Sequence, residues 1–193
     1  FVLPELALPN YMLPRYLIDS ARKQVGFVSG LEFIRISDTA YNLVATSLPV
    51  IVDGDRDVIF TFRLKNFYAP EEKSVIENKR INIPKPLPKY HLFEWRKAYF
   101  SVYNCYELAE INHRALLYSK VDFIVASVWN RDINYFNSIV DSASRDLHCY
   151  FVQSNTSQYG DSRVTRPTKT ERRDQASRMW RREWLVRCFS RKK

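Results

Sequence analysis

The order of hydrophobic patterns between residues 99 and 154 constrains this chain more than any other feature. Three short β-prone runs, at residues 99–104, 121–126 and 149–154, are separated by two stretches of helical spacing. In the first stretch Leu108, Ile111 and Ala115 recur at i, i+3 and i+7, which predicts a helix to about Tyr118. In the second, Ile133, Phe136, Ile139, Val140, Ala143 and Leu147 follow the helical period, with acids and arginines on the opposite face. Strand, helix, strand, helix, strand with short connections is an α/β crossover arrangement. The first strand runs directly into Cys105, so its thiol belongs at a strand-to-helix corner, where α/β folds place reactive groups. A helix beginning there favours thiolate and lowers the thiol pKa from about 8.5. Unpartnered N–H groups of a first helical turn can also hold an oxyanion.

The earlier part of the chain reads differently. Residues 1–9 are expected to form an apolar strand, with Glu5 as its lone acid, and a loop with Pro9, Asn10 and Pro14 follows. A short helix is expected over 16–23. Strands are expected over 25–36, 41–47, 50–52 and 58–64, joined by tight turns such as Asp53-Gly54-Asp55 and lying as successive neighbours in one sheet. Glu5 is either a surface carboxylate at a strand end or a partly buried base with a raised pKa. Lys65, at the end of the last strand, either meets solvent or turns its ammonium into a cleft. Residues 66–97 carry Pro70, Pro84, Pro86 and Pro88 and read as a long loop of the kind that serves as a lid or binding segment.

With 193 residues, 46% of them hydrophobic and 15% aromatic, the chain can bury a core as one domain. No apolar run approaches the eighteen residues of a membrane span, and the first residues lack a signal-peptide pattern. Cys105, Cys149 and Cys188 are an odd number without CxxC spacing, which fits a reducing cytoplasm better than a disulfide framework or a zinc site. His91, His113 and His148 lack metal-ligand spacing as well. Nine basic against three acidic residues fall between 171 and 193, so +6 of the formal +9 belongs to the tail. A solvated end explains this, with a contact to nucleic acid or an acidic partner as the alternative. Four glycines and no phosphate-binding loop argue against a nucleotide fold of that type.

Taken in order, Glu5, Lys65 and Cys105 resemble the carbon-nitrogen hydrolase (nitrilase) superfamily. The resemblance lies in Leu3-Pro4-Glu5 before a proline-rich loop, Gly30-Leu31-Glu32 with Tyr41-Asn42 downstream, Lys65 followed by Pro70 and Glu72, and Asn104-Cys105-Tyr106-Glu107. Asn155 with Tyr159-Gly160-Asp161-Ser162 and Pro167 adds a fifth stretch. The likeness covers residues 1–170 as a hydrolase domain and leaves 171–193 as a basic tail of separate character. It implies an α/β fold, a four-layer α-β-β-α sandwich of the nitrilase type, here truncated at both ends because an initial strand and helix and further closing strands are not matched.

The same resemblance implies a Glu-Lys-Cys triad. Cys105 would be the nucleophile, Glu5 the general base and Lys65 the cation stabilising a tetrahedral intermediate. Glu72 would be a second acid, with Glu71 as its rival. The main-chain N–H of Tyr106 would contribute to the oxyanion hole, and Glu107, Trp129 and Asn130 would join Tyr106 at the substrate. The implied activity is hydrolysis of a non-peptide C–N bond in a small molecule, an amide rather than a nitrile, through a thioester. This chemistry requires no metal or organic cofactor. A homo-oligomer is implied as partner state, and no membrane.

A narrower likeness joins Ser101 to Leu108, Trp129 to Asp132 and Ser144 to Val152 with the nitrilase-like domain attached to some bacterial defence reverse transcriptases. With that parent, the chain is a module of a larger protein. The truncation and the basic tail motivate the alternative function, a non-catalytic binding or regulatory module that keeps the hydrolase fold and contacts nucleic acid through the tail or a larger parent protein.

Overall fold

The computed structural model describes residues 1–87 and 89–167. The basic tail at 171–193, Cys188 included, lies outside the described residues. Among those residues no helix is long and apolar enough to cross a membrane.

The chain begins with isolated bridges rather than a strand, Val2 pairing with Val28 and Leu8 with Leu31. Helix α1, Leu13–Lys23, has a proline in its first turn, Arg22 and Lys23 in its last, and Gln24 in the left-handed region as its C-cap. Its apolar face brings Leu13, Tyr16 and Leu17 against Leu8, Phe27, Leu31 and Ala45. Strand β1, Phe27–Gly30, follows. Strands β2, Ile34–Ile36, and β3, Thr39–Tyr41, form a separate two-stranded ribbon. Strands β4, Leu43–Val52, and β5, Asp55–Leu64, are joined at Asp53 and Gly54, both at positive φ, as a two-residue hairpin loop requires.

The three-stranded sheet therefore runs β1-β4-β5, so strands successive in sequence are not all neighbours. The runs expected at 41–47 and 50–52 form one strand through Pro49, whose missing donor the hairpin tolerates.

The expected long loop contains helix α2, Pro70–Asn78, and strand β6, Phe93–Trp95. Pro70 marks the start of that helix, the one place in a helix where proline fits without loss. Strand β7, Ala98–Asn104, leads into a 3₁₀ turn, Cys105–Ala109, and a short helix α3, Ile111–Ala115. The single helix expected to about Tyr118 is thus divided, because Glu110 adopts an extended backbone between the two pieces. Strand β8, Phe123–Val128, helix α4, Ile133–Asp146, strand β9, Tyr150–Asn155, and a strand that the pattern did not announce, β10, Arg163–Thr165, complete the described chain.

These strands form a sheet ordered β10-β9-β8-β7-β6, parallel from β7 to β9 as the crossover pattern predicts and antiparallel at both edges. Val28, Val44 and Leu48 of the first sheet share one core cluster with Phe100, Val102 and Val125 of the second. Phe93, Phe100 and Phe123 stack across the strands at 4.9 and 4.8 Å, each pair contributing about 0.5–1.5 kcal/mol beyond its buried area. Another cluster gathers Phe136, Val140, Ala143 and Leu147 with Tyr103, Ile124 and Phe151. Cys149 is enclosed there, and burial pushes its thiol up to about 12, as suits an inert core residue.

Candidate active site

The parallel strands bring the ends of β7, β8 and β9 together, and Cys105, Trp129 and Asn155 stand at those ends. Cys105 has φ +47, a left-handed backbone that a non-glycine residue keeps only where its surroundings determine it fully. It is 7% exposed, and its Sγ donates to the carbonyl of Trp129 at 3.5 Å.

Glu5 reaches the same place through the first segment of the chain. Leu3 N–H donates to Val28 O, and Gly30 N–H donates to Pro4 O, so the turn carrying Glu5 is stitched onto β1. A Cβ on Gly30 would lie 2.5 Å from the Cα of Glu5, so only glycine permits this approach.

Lys65 emerges from β5, its N–H donating to Asn42 O at 2.8 Å. Its Nζ lies 2.6 Å from Glu5 Oε1 and 2.6 Å from Glu72 Oε2. Both lysine and Glu5 are buried, at 1% and 5% exposure. The Tyr68 ring covers the ammonium at 5.2 Å. Glu72 sits in the first turn of α2, where the helix end favours an acid, and is half-buried. Glu71 is exposed, so Glu72 is the residue that meets Lys65.

Asn42 binds the group into one network. Its Nδ2 donates to Glu5 Oε1 at 2.8 Å and to Glu72 Oε1 at 3.3 Å, while its Oδ1 accepts from Asn104 Nδ2 at 2.9 Å.

The electrostatics depart from the sequence expectation at the sulfur. Burial, reinforced by the charge of Glu5, pushes the Cys105 thiol well above its ordinary range, and the Lys65 ammonium offsets this only in part. The expected lowering rested on a helix dipole, but a five-residue 3₁₀ turn broken at Glu110 supplies little of one. Burial would lower the Lys65 pKa, yet Glu5, Cys105 and Glu72 together raise it. Burial raises Glu72, helped by Glu5 and opposed by Lys65. The resting arrangement is a neutral thiol beside an ammonium shared by two carboxyl groups.

The remaining expected residues are placed unevenly. Tyr106 is half-buried next to the thiol in the chain, and Trp129 is 46% exposed with its carbonyl on the sulfur. Asn130 shapes its own loop, accepting from Asp132 N–H and exchanging hydrogen bonds with Asn155 on its main chain. Glu107 is wholly buried, its carboxylate oxygens accepting from Arg63, Asn66 N–H and Asn104 N–H. Both of its oxygens are thus engaged by protein donors.

Asn42, Arg63, Asn104 and Asn155 were not foreseen as site residues. The alternation of β5 was a usable signal for Arg63, since continuing its period of two by one residue puts 63 and 65 on one side of the chain.

A depression of about 190 Å³ between α3 and α4, lined by Ile111, Tyr118 and Leu147 among others, shares no residue with this cluster.

No family model matches the sequence, and no curated protein matches it. Solved structures do match. XC1258 from Xanthomonas campestris, a CN-hydrolase superfamily protein with an arsenic adduct in its active site, aligns with a TM-score of 0.61 at 12% identity, covering 86% of this chain and 69% of that one. The amidase of Nesterenkonia sp. AN1, in a variant carrying the acetamide moiety of fluoroacetamide on its active-site cysteine, gives 0.63 at 12% identity over 86% and 68%. A cysteine-to-serine variant of the same nitrilase-superfamily amidase gives 0.64 at 12% identity over 86% and 70%. The mixed α/β fold is therefore that of nitrilase-superfamily structures.

Proposed function

We propose that this chain is a thiol hydrolase of the carbon-nitrogen hydrolase superfamily, cleaving a non-peptide C–N bond and favouring an amide over a nitrile. Its two sheets and flanking helices then form the four-layer α-β-β-α arrangement of that superfamily. The observation that carries the reading is Lys65 Nζ at 2.6 Å from Glu5 Oε1 in a buried site, with Glu5 and Lys65 both acting on the Cys105 thiol.

Because the resting thiol is neutral, attack has to be coupled to proton removal. Cys105 Sγ bonds to the carbonyl carbon while its proton passes to Glu5. The resulting oxyanion is met by the Lys65 ammonium and the Tyr106 N–H. Collapse breaks the C–N bond, Glu5 gives its proton to the departing nitrogen, and an acyl thioester of Cys105 remains. Water then attacks the thioester as Glu5 takes its proton, and the C–S bond breaks while Glu5 passes that proton to the leaving sulfur, releasing the acid and restoring both the thiol and the Glu5 carboxylate. Glu72 and Asn42 hold Lys65 and Glu5 in place throughout. A homo-oligomer in a cytoplasmic setting belongs to the same proposal.

The test is labelling of the chain with an electrophilic acyl probe and location of the adduct by mass spectrometry. Labelling at Cys105 that vanishes in Cys105→Ala is expected. Labelling that persists unchanged in Cys105→Ala overturns the reading.

A further inference from the structure

Two residues before Lys65 and two after Cys105, the chain carries a second buried ion pair for which the chemistry above has no use. Arg63, 7% exposed, forks onto Glu107, 0% exposed, with Nη1 to Oε1 and Nη2 to Oε2 both at 2.6 Å. Each carboxylate oxygen also accepts a main-chain N–H: Asn66 at 2.6 Å on Oε1 and Asn104 at 2.7 Å on Oε2. Asn66 directly follows Lys65, and Asn104 directly precedes Cys105. Arg63 Nη2 reaches across to Val102 O of β7 as well, at 3.0 Å.

The amine and the sulfur directly follow strands of different sheets, β5 and β7, and among the described residues no hydrogen-bonded ladder joins those sheets. Among those residues main-chain bonds link the sheets only through the first segment, Leu3 N–H to Val28 O on one and Glu5 N–H to Val128 O on the other, so near Lys65 and Cys105 the mutual register falls to side chains. One carboxylate that holds the main chain beside both residues does this directly, and a bidentate guanidinium fixes the plane of that carboxylate while neutralising it. The left-handed backbone of Cys105 also needs surroundings that hold it, and the bond from Asn104 lies one residue away.

We propose that Arg63 and Glu107 are positioning residues whose clamp on the main chain at Asn66 and Asn104 sets the distance between the Lys65 ammonium and the Cys105 sulfur. The effect on rate rests on the hydrolase reading; the clamp itself does not.

The experiment measures two things in the full chain and in Glu107→Gln: the rate and half-saturation of acyl-probe labelling at Cys105, and amide hydrogen exchange. Glutamine keeps the volume but puts an NH₂ where only acceptors are satisfied. Labelling slowed about 10- to 100-fold is expected, with half-saturation within about twofold, since a misplacement near 1 Å costs on that order. Protection is lost at Asn66 and Asn104 together, while Val102 and Ile124 keep theirs. Arg63→Lys, which keeps the charge without the fork, gives a smaller slowing in the same direction and replaces Glu107→Gln should that variant not fold. A cooperatively folded variant with an unchanged labelling rate and unchanged exchange at both amides overturns the clamp. If the parent chain is not labelled at Cys105 at all, the hydrolase reading fails instead. The clamp is then judged by exchange alone: paired loss at Asn66 and Asn104 supports it, and intact protection overturns it.

Discussion

Arg63, inside β5, and Lys65, just past its end, are buried cations two residues apart, and their surroundings differ. Arg63 meets a single carboxylate whose oxygens accept four hydrogen bonds, two from the guanidinium and two from main-chain N–H groups. Lys65 meets two carboxyl groups and lies beside a thiol, so the charges in its cluster do not balance one to one. A balanced, fully bonded pair has no reason to move a proton and serves as a fixed point. An unbalanced cluster has its proton affinities displaced, as those of Cys105 and Glu72 are here, and that displacement is what proton-transfer chemistry uses.

Substitutions that treat the two cations alike should therefore have unlike results. The largest effect is expected from Lys65→Met, which on the proposed mechanism removes the charge facing a developing oxyanion: acyl-probe labelling at Cys105 should fall about 10²–10³-fold, read by mass spectrometry over time. A fall below tenfold would erase the distinction between the clusters.

Arg63→Met should act first on stability. It strands the Glu107 carboxylate in the interior, at a cost of about 3–5 kcal/mol in denaturant unfolding. Glu72→Gln and Glu71→Gln make a finer test: the first should slow labelling about tenfold and the second less than twofold, because only Glu72 touches Lys65.

The smallest effects are in pH. The folded pKa of Glu72 is raised, so the fold favours its protonated form, and that stability is present below the ordinary carboxylate range and lost as pH rises through the raised value. The parent should thus gain in Tm over Glu72→Gln as pH falls through that raised value. Cys105, also raised, should alkylate more slowly than an ordinary thiol at pH 8 and keep gaining rate above pH 9, measured with iodoacetamide.

The crossover half of the fold was legible because its signals are local. Period-3.6 spacing at 133–147 and compact apolar runs on either side determine a helix and two strands with little help from distant residues. The segment after Cys105 misled for the same reason: its apolar spacing is helical, but the Glu107 side chain is drawn to Arg63 and two main-chain amides, and the backbone turns out at Glu110. The length of residues 66–97 hid α2, although Pro70 followed by two acids is a helix start that could have been read. In this cluster Glu5, Lys65, Glu72 and Cys105 were singled out through a resemblance in their order; Asn42 stood in one of its stretches without a role, and Arg63 stood outside it, since their bonds are to partners far away in the chain.

Residue types, local periodicities and the order of acid, amine and thiol were settled by the amino-acid sequence alone, because each depends on neighbours within a few positions. Burial and long-range pairing were settled only by the tertiary structure. It turned an expected thiolate into a neutral thiol, set Glu72 rather than Glu71 against Lys65, and bonded the Glu107 carboxylate to Arg63 and to the main chain at Asn66 and Asn104. Each of these outcomes depends on how much water and which charge surround a group, and those quantities exist only once distant segments have met.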